Sequence, residues 1–219
     1  EKVQRGPQVR ADAFEELSFE ATSVALHEHL GSVGEAAARI ATRLGMDERI
    51  VASVRLAGCV HDLGKADPRF QRWLDPDGEA TTLVAKSRAR RERIEAGRLA
   101  SGWPRGGRHE AISARLVMAL LNEATVEDVD ADLVLHLVLS HHGHGRPLLE
   151  PVIDAAPVLV RAELNGSSLS ASGDLGLVDW DQPRRFHDLC QRYGLWGLCL
   201  LEAVLRQADH AVSSVVEVA

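Results

Sequence analysis

Residues 58–74 read Gly-Cys-Val-His-Asp-Leu-Gly-Lys-Ala-Asp-Pro-Arg-Phe-Gln-Arg-Trp-Leu, a stretch in which metal ligands stand side by side. His61 and Asp62 are adjacent, and Lys65 follows one helical turn later. Neutral imidazole is the commonest metal ligand of proteins, and a carboxylate has two oxygens with which it can bridge two ions. Further candidate ligands elsewhere in the chain are His29, His109, His141, His142 and Asp209. These residues are numerous enough for two metal ions, and together they predict a metal-dependent phosphoesterase.

The composition indicates one helical domain. The chain has 219 residues, of which 45% are apolar, enough for a single large core spanning residues 1–219. Ala, Leu, Val, Arg and Glu dominate, which favours an all-α fold. The three cysteines lack metal-ligand spacing and are typical of a reducing compartment, so we expect a cytoplasmic protein. No apolar run is long enough to span a bilayer, and no membrane partner is expected.

Hydrophobic periodicity predicts eight helices. They are expected at about 18–44, 47–63, 67–74, 81–100, 109–122, 130–141, 182–193 and 195–216. Residues 1–17 are predicted to form a flexible arm. The Ser- and Gly-rich residues 165–178 are predicted to form a mobile loop, and strands are expected to be marginal.

Helical phase distinguishes neighbouring candidate ligands. His29 lies closer than His27 to the centre of the apolar stripe of the first helix. In the last helix Asp209 flanks the buried stripe, whereas His210 projects to the far side. His61 and Lys65 continue one inward stripe of the second helix. His141 continues the buried stripe of the sixth.

The net charge argues against nucleic-acid binding, whereas one local cluster of basic residues is compatible with it. A net charge of −7 argues against binding by bulk positive charge. Basic residues nevertheless cluster between Lys86 and Arg108, and those chosen as candidate DNA contacts are Arg90, Arg91, Arg105 and Arg108. A solvated charged helix explains the same cluster. Trp103 could stack on a base, or it could pack within its own domain.

Other nucleotide-binding, metal-binding and hydrolase motifs do not occur in the sequence. The interval from Gly58 to Lys65 is one residue too long for a P-loop, and there is no Cys-x-x-Cys and no Gly-x-Ser-x-Gly.

The set of motifs resembles the HD superfamily of metal-dependent phosphohydrolases. Within it, the motif sequences are most similar to those of the HD nuclease domain of the type I CRISPR helicase-nuclease. The resembling segments are His29-Leu30, His61–Gln71, Arg108-His-Glu110, Ser140-His-His-Gly-His-Gly-Arg-Pro147 and Ala208-Asp-His210. They follow the family's order over nearly the whole chain.

The resemblance implies an HD helical bundle around a central metal site that cleaves single-stranded DNA. It implies one ion held by His29, His61, Asp62 and Asp209, and another held by His109, His141 and His142, with Asp62 bridging. Lys65 and Asp62 would act in catalysis. Mixed imidazole and carboxylate ligands suit Mn, Fe, Co or Ni, with Mg possible. The implied partners are the Cascade surveillance complex and a helicase, which must be a separate chain or a missing portion because no helicase motif occurs here.

Two alternatives remain open from the residues. The same ligands could hydrolyse a small nucleotide, either a cyclic dinucleotide or a dNTP. Gly145-Arg-Pro147 stands where the cyclic-dinucleotide class would have Gly-Tyr-Pro. The second alternative is an inactive HD scaffold that binds a partner.

Overall fold

Helices build the fold, and one two-stranded hairpin packs against them. The structure, a computed structural model, describes residues 24–86, 91–123 and 128–216. Within those ranges the helices are α1 (Leu26–Arg43), α2 (Glu48–Val60), α3 (Pro68–Leu74), α4 (Arg91–Ser101), α5 (His109–Glu123), α6 (Ala131–Ser140), α7 (Gln182–Tyr193) and α8 (Leu195–Val216). A short 3-10 helix covers Leu63–Ala66, and the strands are β1 (Leu159–Leu164) and β2 (Ser167–Ser172). The predicted all-α bundle is confirmed, while the predicted arm at 1–17 lies outside the described residues.

Two glycines bring α1 and α2 into close contact. A Cβ atom added to Gly58 would lie 2.7 Å from the Cα of Gly34, so only glycine fits where these helices cross. His29 lies about one turn before this crossing on α1, and His61 lies about one turn after it on α2. Because α1 also packs against α8, the crossing places ligands from distant parts of the chain at one point.

The second helix ends earlier than predicted. Its predicted N-cap is confirmed, because Asp47 accepts a hydrogen bond from the backbone N–H of Ile50 at 3.0 Å. The helix stops at Val60 rather than near residue 63, and the chain tightens into the 3-10 helix. A Cβ atom on Gly64 would lie 2.1 Å from the carbonyl oxygen of His109, so the glycine permits the approach of α5.

The predicted loop at 165–178 is wrong in part, because residues 167–172 form strand β2, and its mobility stays a prediction. The expectation that strands are marginal is confirmed, since the described residues hold one two-stranded sheet. Residues 159–172 form an antiparallel hairpin in which Leu164 pairs with Ser167. Asn165 and Gly166 form its two-residue turn and have positive φ angles of 51° and 83°, which suits the right-handed twist of hairpins. Leu169 is buried, and β2 packs against α5. The hairpin is thus part of the packed domain.

The charged helix predicted at 81–100 is also partly wrong, because residues 81–86 form no helix. Residues 87–90 lie outside the described residues, and α4 covers Arg91–Ser101. Val84 instead forms an antiparallel bridge with Ala25. That bridge occupies the backbone just before Leu26, where α1 begins. The predicted helical residues 18–23 lie outside the described residues. The remaining predicted helices are confirmed to within two residues. Among the helices that the structure describes, none has the length and apolarity that crossing a bilayer requires.

Candidate metal centre

Seven predicted ligands lie in two adjacent groups. They come from α1, the end of α2, the start of α5, the end of α6 and α8. The first group consists of His29, His61 and Asp209, and the second of Asp62, His109, His141 and His142. Within each group one potential ligand atom per residue lies within 4.8 Å of the others, a spacing that could hold a metal ion. The division follows the one that the resemblance implied, with Asp62 between the groups.

The two carboxylate oxygens of Asp62 face different groups. Its Oδ1 lies 2.8 Å from Nε2 of His109 and 3.5 Å from Nε2 of His141. Its Oδ2 lies 3.4 Å from Nε2 of His61 and 3.7 Å from Nε2 of His29. Asp209 closes the first group, with Oδ1 3.2 Å from Nε2 of His29. A single buried carboxylate therefore has one oxygen available to each group.

The ionisation of these groups suits cation binding. Burial alone would raise the pKa of Asp62, but the neighbouring His61 and Lys65 charges and the hydrogen bond with His109 hold it well below the usual range. Burial also opposes ionisation of Asp209, but its hydrogen bond with His29 lowers the pKa of this carboxyl. Burial and the neighbouring His141 and His109 lower the pKa of His142 well below its usual value. Both carboxylates are therefore ionised at neutral pH, and His142 is neutral.

Backbone contacts fix the orientation of two ligand rings. Nδ1 of His61 lies 2.8 Å from the carbonyl oxygen of Gly58, and Nδ1 of His141 lies 2.8 Å from that of Val138. A proton on Nδ1 leaves the lone pair on Nε2. Both Nε2 atoms are buried and find no hydrogen-bond partner among the described residues. Buried, unpaired imidazole nitrogens beside carboxylates fit a divalent cation.

Sequence comparison gives the family of this chain. A family model with the description "Cas3, HD domain" matches residues 20–215. The chain belongs to the Cas3 HD-domain family. This membership identifies it as a metal-dependent nuclease of CRISPR systems, and thus as a hydrolase. No curated protein and no solved structure matches the chain.

In this Cas3 HD domain, Lys65 is a buried neighbour of the ligands. Its side chain is 6% exposed, so it does not escape to solvent at the helix end. The ammonium group lies 2.7 Å from Oδ2 of Asp62 and donates to the carbonyl oxygen of Ala85 at 3.2 Å. The lysine therefore holds a positive charge against the side of Asp62 that faces the first group.

The Phe-Gln pair of the motif supports the centre without being a ligand. The ring of Phe70 is fully buried, with its centroid 5.3 Å from that of His109. The side chain of Gln71 donates to the carbonyl oxygens of Lys65 and Val84 at 2.7 and 3.0 Å. It therefore ties the lysine-bearing turn to the segment that supplies the Ala85 carbonyl. Trp103 is buried against Phe70, which confirms that it packs within its own domain.

The other polar candidates lie outside the two groups. His27 and His210 are exposed, as helical phase predicted. His136 pairs instead with Glu202, their Nε2 and Oε1 atoms lying 2.7 Å apart.

Of the four candidate DNA-contact arginines, Arg105 is exposed and Arg108 is half-buried. Arg90 lies outside the described residues. Arg91 begins α4.

Sequence reasoning did not assign a role to Glu110, which is fully buried beside His109. Its polar character and its position next to a ligand were visible in the sequence. Its burial was not, because the residue follows the first position of a helix, where an outward direction is equally compatible with the sequence.

Proposed function

We propose that this chain is a two-metal nuclease that hydrolyses phosphodiester bonds of single-stranded DNA in CRISPR interference. The observation that carries the proposal is the position of Asp62, whose two oxygens face two separate groups of imidazole ligands. Two ions that shared this carboxylate would suit phosphoryl chemistry, because they would stabilise the charge of both the attacking and the leaving oxygen. Membership of the Cas3 HD family supports the same reaction class.

The two groups would hold one divalent ion each. His29, His61, Asp62 and Asp209 would hold the first, and His109, His141, His142 and Asp62 the second. This mixture of imidazole and carboxylate favours Mn, Fe, Co or Ni, with Mg possible. When bound, the ions supply an activated water and neutralise the charge of the phosphate in the transition state.

Lys65 contributes a fixed positive charge to this centre. Its ammonium group is desolvated and held by two oxygen atoms, those of Asp62 and Ala85. A preorganised charge in a buried site stabilises developing negative charge more strongly than the same charge in water does. Lys65 would therefore hold Asp62 in its bridging orientation and stabilise the phosphate oxygens as their charge increases.

The DNA and its delivery involve more than the metal centre. We infer that the basic residues Arg90, Arg91, Arg105 and Arg108 guide the DNA backbone, because Arg105 is exposed and the cluster precedes α5, which begins with His109. The partners would be a CRISPR helicase that supplies single strands and the Cascade surveillance complex, as expected for a nuclease of this family. The cytoplasm is the compartment in which such a system would act.

A substrate panel tests the proposal. The metal-loaded protein is incubated with labelled single-stranded DNA, double-stranded DNA, a cyclic dinucleotide and dNTPs. Cleavage of the single-stranded DNA that is abolished by a chelator and restored by Mn²⁺ is the expected result. Cleavage of the small nucleotides alone would contradict the DNA substrate and favour a nucleotide phosphohydrolase. Failure to bind any metal would favour the inactive scaffold.

A substitution at the bridging residue ties the activity to the site. Asp62→Ala should abolish cleavage while the far-ultraviolet circular dichroism stays helical, because the core around α2 is otherwise intact. Asp181→Ala is the matched control, since its side chain is 72% exposed. Full cleavage by the Asp62 variant would refute the two-metal site.

A further inference from the structure

Glu110 is a buried carboxylate that the proposed reaction does not use. The residue is 0% exposed, and neither of its carboxylate oxygens has a hydrogen-bond partner within the described part of the chain. Oε2 lies 3.7 Å from Nδ1 of His109, and Oε1 lies 3.7 Å from a guanidinium nitrogen of Arg108. Burying a carboxylate without hydrogen bonds costs several kcal/mol, on the order of the whole margin of stability of some domains. A role that depends on this acceptor would explain its position.

His109 lacks the backbone support that the comparable ligands have. His61 and His141 follow the last turns of α2 and α6, and each places Nδ1 against the carbonyl group three residues earlier. His109 is instead the first residue of α5, so the residue three positions earlier belongs to the preceding loop. Its Nδ1 is buried and has no hydrogen-bond partner among the residues described. The carboxylate of Glu110 lies 3.7 Å from it.

The ring of His109 must also carry its proton on the correct nitrogen. Nε2 lies 2.8 Å from Oδ1 of Asp62, a distance at which a proton on Nε2 would be donated to the carboxylate. An ion bound at Nε2 needs the lone pair there, so the proton must then be on Nδ1. An acceptor beside Nδ1 favours that tautomer. Ligand histidines commonly donate their second N–H to such a carboxylate.

We propose that Glu110 is the positioning residue of His109: when an ion binds at Nε2, the carboxylate that lies 3.7 Å from Nδ1 closes to hydrogen-bond distance and accepts the Nδ1 proton. Arg108 balances the charge of Glu110 from the other side. This inference rests on the metal binding of the proposed function and on nothing about the DNA substrate. Because His109 belongs to the second group, Glu110 should affect the ion of that group and not the ion of the first.

Metal titration of variants in the full chain tests the proposal. Mn²⁺ binding is measured by calorimetry for the wild type, Glu110→Leu and Glu110→Gln. We expect the wild type to bind two ions and Glu110→Leu to bind one of them about 10- to 100-fold more weakly, with the other unaffected. Glu110→Gln should lie between these two proteins, because its amide oxygen still accepts a proton from Nδ1.

Two further measurements separate positioning from a structural role. The melting temperature of metal-free Glu110→Leu should equal or exceed that of the wild type, because an unpaired buried carboxylate is replaced by an apolar side chain. Nitrogen-15 spectra of the metal-loaded wild type should show the Nδ1-protonated tautomer of His109. A lowered melting temperature with proportional weakening of both ions would overturn the proposal in favour of a structural role.

Glu202→Leu is the matched control, because Glu202 pairs with the buried His136 at 2.7 Å and neither belongs to the metal groups. Glu202→Leu should bind both ions with wild-type affinity.

Wild-type affinity for both ions in Glu110→Leu would overturn the role of Glu110 and leave the proposed function intact. Absence of metal binding in the wild type would overturn the proposed function itself. Should Glu110→Leu fail to fold, Glu110→Gln decides: wild-type affinity for both ions would overturn the proposal.

Discussion

The ammonium nitrogen of Lys65 lies 2.7 Å from Oδ2 of Asp62, and both side chains are almost fully buried. The same carboxylate oxygen faces the imidazoles of His61 and His29. Lys65 therefore shares its partner with the first group of ligands without being able to bind a cation, since an ammonium group has no lone pair. The relationship agrees with the proposal that Lys65 supplies charge and that the imidazoles and carboxylates would hold the ions.

Substitution of Lys65 should reduce turnover more than substrate binding. We expect Lys65→Met to lower kcat for single-stranded DNA about 10²- to 10³-fold, as loss of one preorganised charge does in other active sites. KM and the number of bound ions should change little, because all seven ligands remain. Single-turnover cleavage and metal analysis measure the two effects. Lys65→Arg should not restore the rate, since a planar guanidinium does not reproduce a compact ammonium. Wild-type turnover in Lys65→Met would exclude this role.

The two ligand groups should lose their ions independently. His29→Ala should reduce the metal content from two ions to one, and His142→Ala should do the same for the other group, because each removes a ligand of one group only. Metal content per chain after gel filtration gives the measurement. His27→Ala and His210→Ala, at exposed neighbouring positions, should keep both ions. Loss of both ions in either single-ligand variant would show that the two sites form a single cooperative unit.

Helical phase was sufficient to predict which of two neighbouring polar residues points inward. His29 is 2% exposed whereas His27 is exposed, and a separation of two residues on a helix turns the side chain by about 200°. The same argument separated Asp209 from His210. The residues in question lie within long helices with clear apolar stripes, where periodicity is most informative.

The sequence was insufficient where contacts between distant segments determine the backbone. The apolar alternation of β2 is limited to Leu169 and Ala171 among serines, so the Ser- and Gly-rich composition indicated a loop. The end of α2 at Val60 depends on the approach of α5 to Gly64, which no local pattern encodes. The burial of Glu110 likewise depends on its tertiary neighbours.

A buried arginine should anchor the hairpin to the motif that carries the ligands. Arg69 donates to both oxygens of Asp67 and of Asp154, and to the carbonyl oxygen of Gly173 just after β2. Removing one partner of a buried charge network leaves the others uncompensated, so Arg69→Met should lower the free energy of unfolding by about 3–5 kcal/mol. Urea denaturation measures this change.

Arg161→Met is the control for this prediction, because Arg161 is exposed on β1. It should change the free energy of unfolding by less than about 0.5 kcal/mol. Equal stability of the two variants would show that the Arg69 network contributes nothing to the fold.

The basic cluster should contribute to the salt dependence of DNA binding. Replacement of Arg90 and Arg91 by Ala should make the negative slope of log affinity against log salt shallower by about 1–2. Each phosphate contact that is lost reduces the number of counterions released on binding. Fluorescence anisotropy with catalytically inactive Asp62→Ala protein avoids cleavage during the titration. Arg184→Ala, at a position that is 72% exposed on α7, is the control. An unchanged slope in the double variant would favour a merely solvated helix.

A tyrosine supports the start of α6, the helix that precedes His141. The hydroxyl of Tyr193 donates to Oδ2 of Asp130 at 2.6 Å, and Oδ1 of Asp130 caps α6 by accepting from the N–H of Leu133 at 3.3 Å. Burial, with the hydrogen bond and charge of Asp130, raises the pKa of Tyr193 to about 12. Tyr193→Phe should therefore lower the free energy of unfolding by about 1 kcal/mol at pH 8, because a buried acceptor loses one of its two side-chain donors and keeps Arg192.

The pH dependence of that difference follows from the direction of the shift. A raised pKa means that the folded state holds the proton more tightly than the unfolded chain, whose tyrosine titrates near about pH 10. The stabilisation by Tyr193 is thus complete below about pH 10 and is lost as the pH rises from there towards about 12. The difference between wild type and Tyr193→Phe should shrink over this interval in urea denaturation. Because the chain has a single tyrosine, tyrosinate absorbance of the folded protein reports the same group directly. A titration midpoint near about pH 10 would contradict the Asp130 contact and its role in fixing α6.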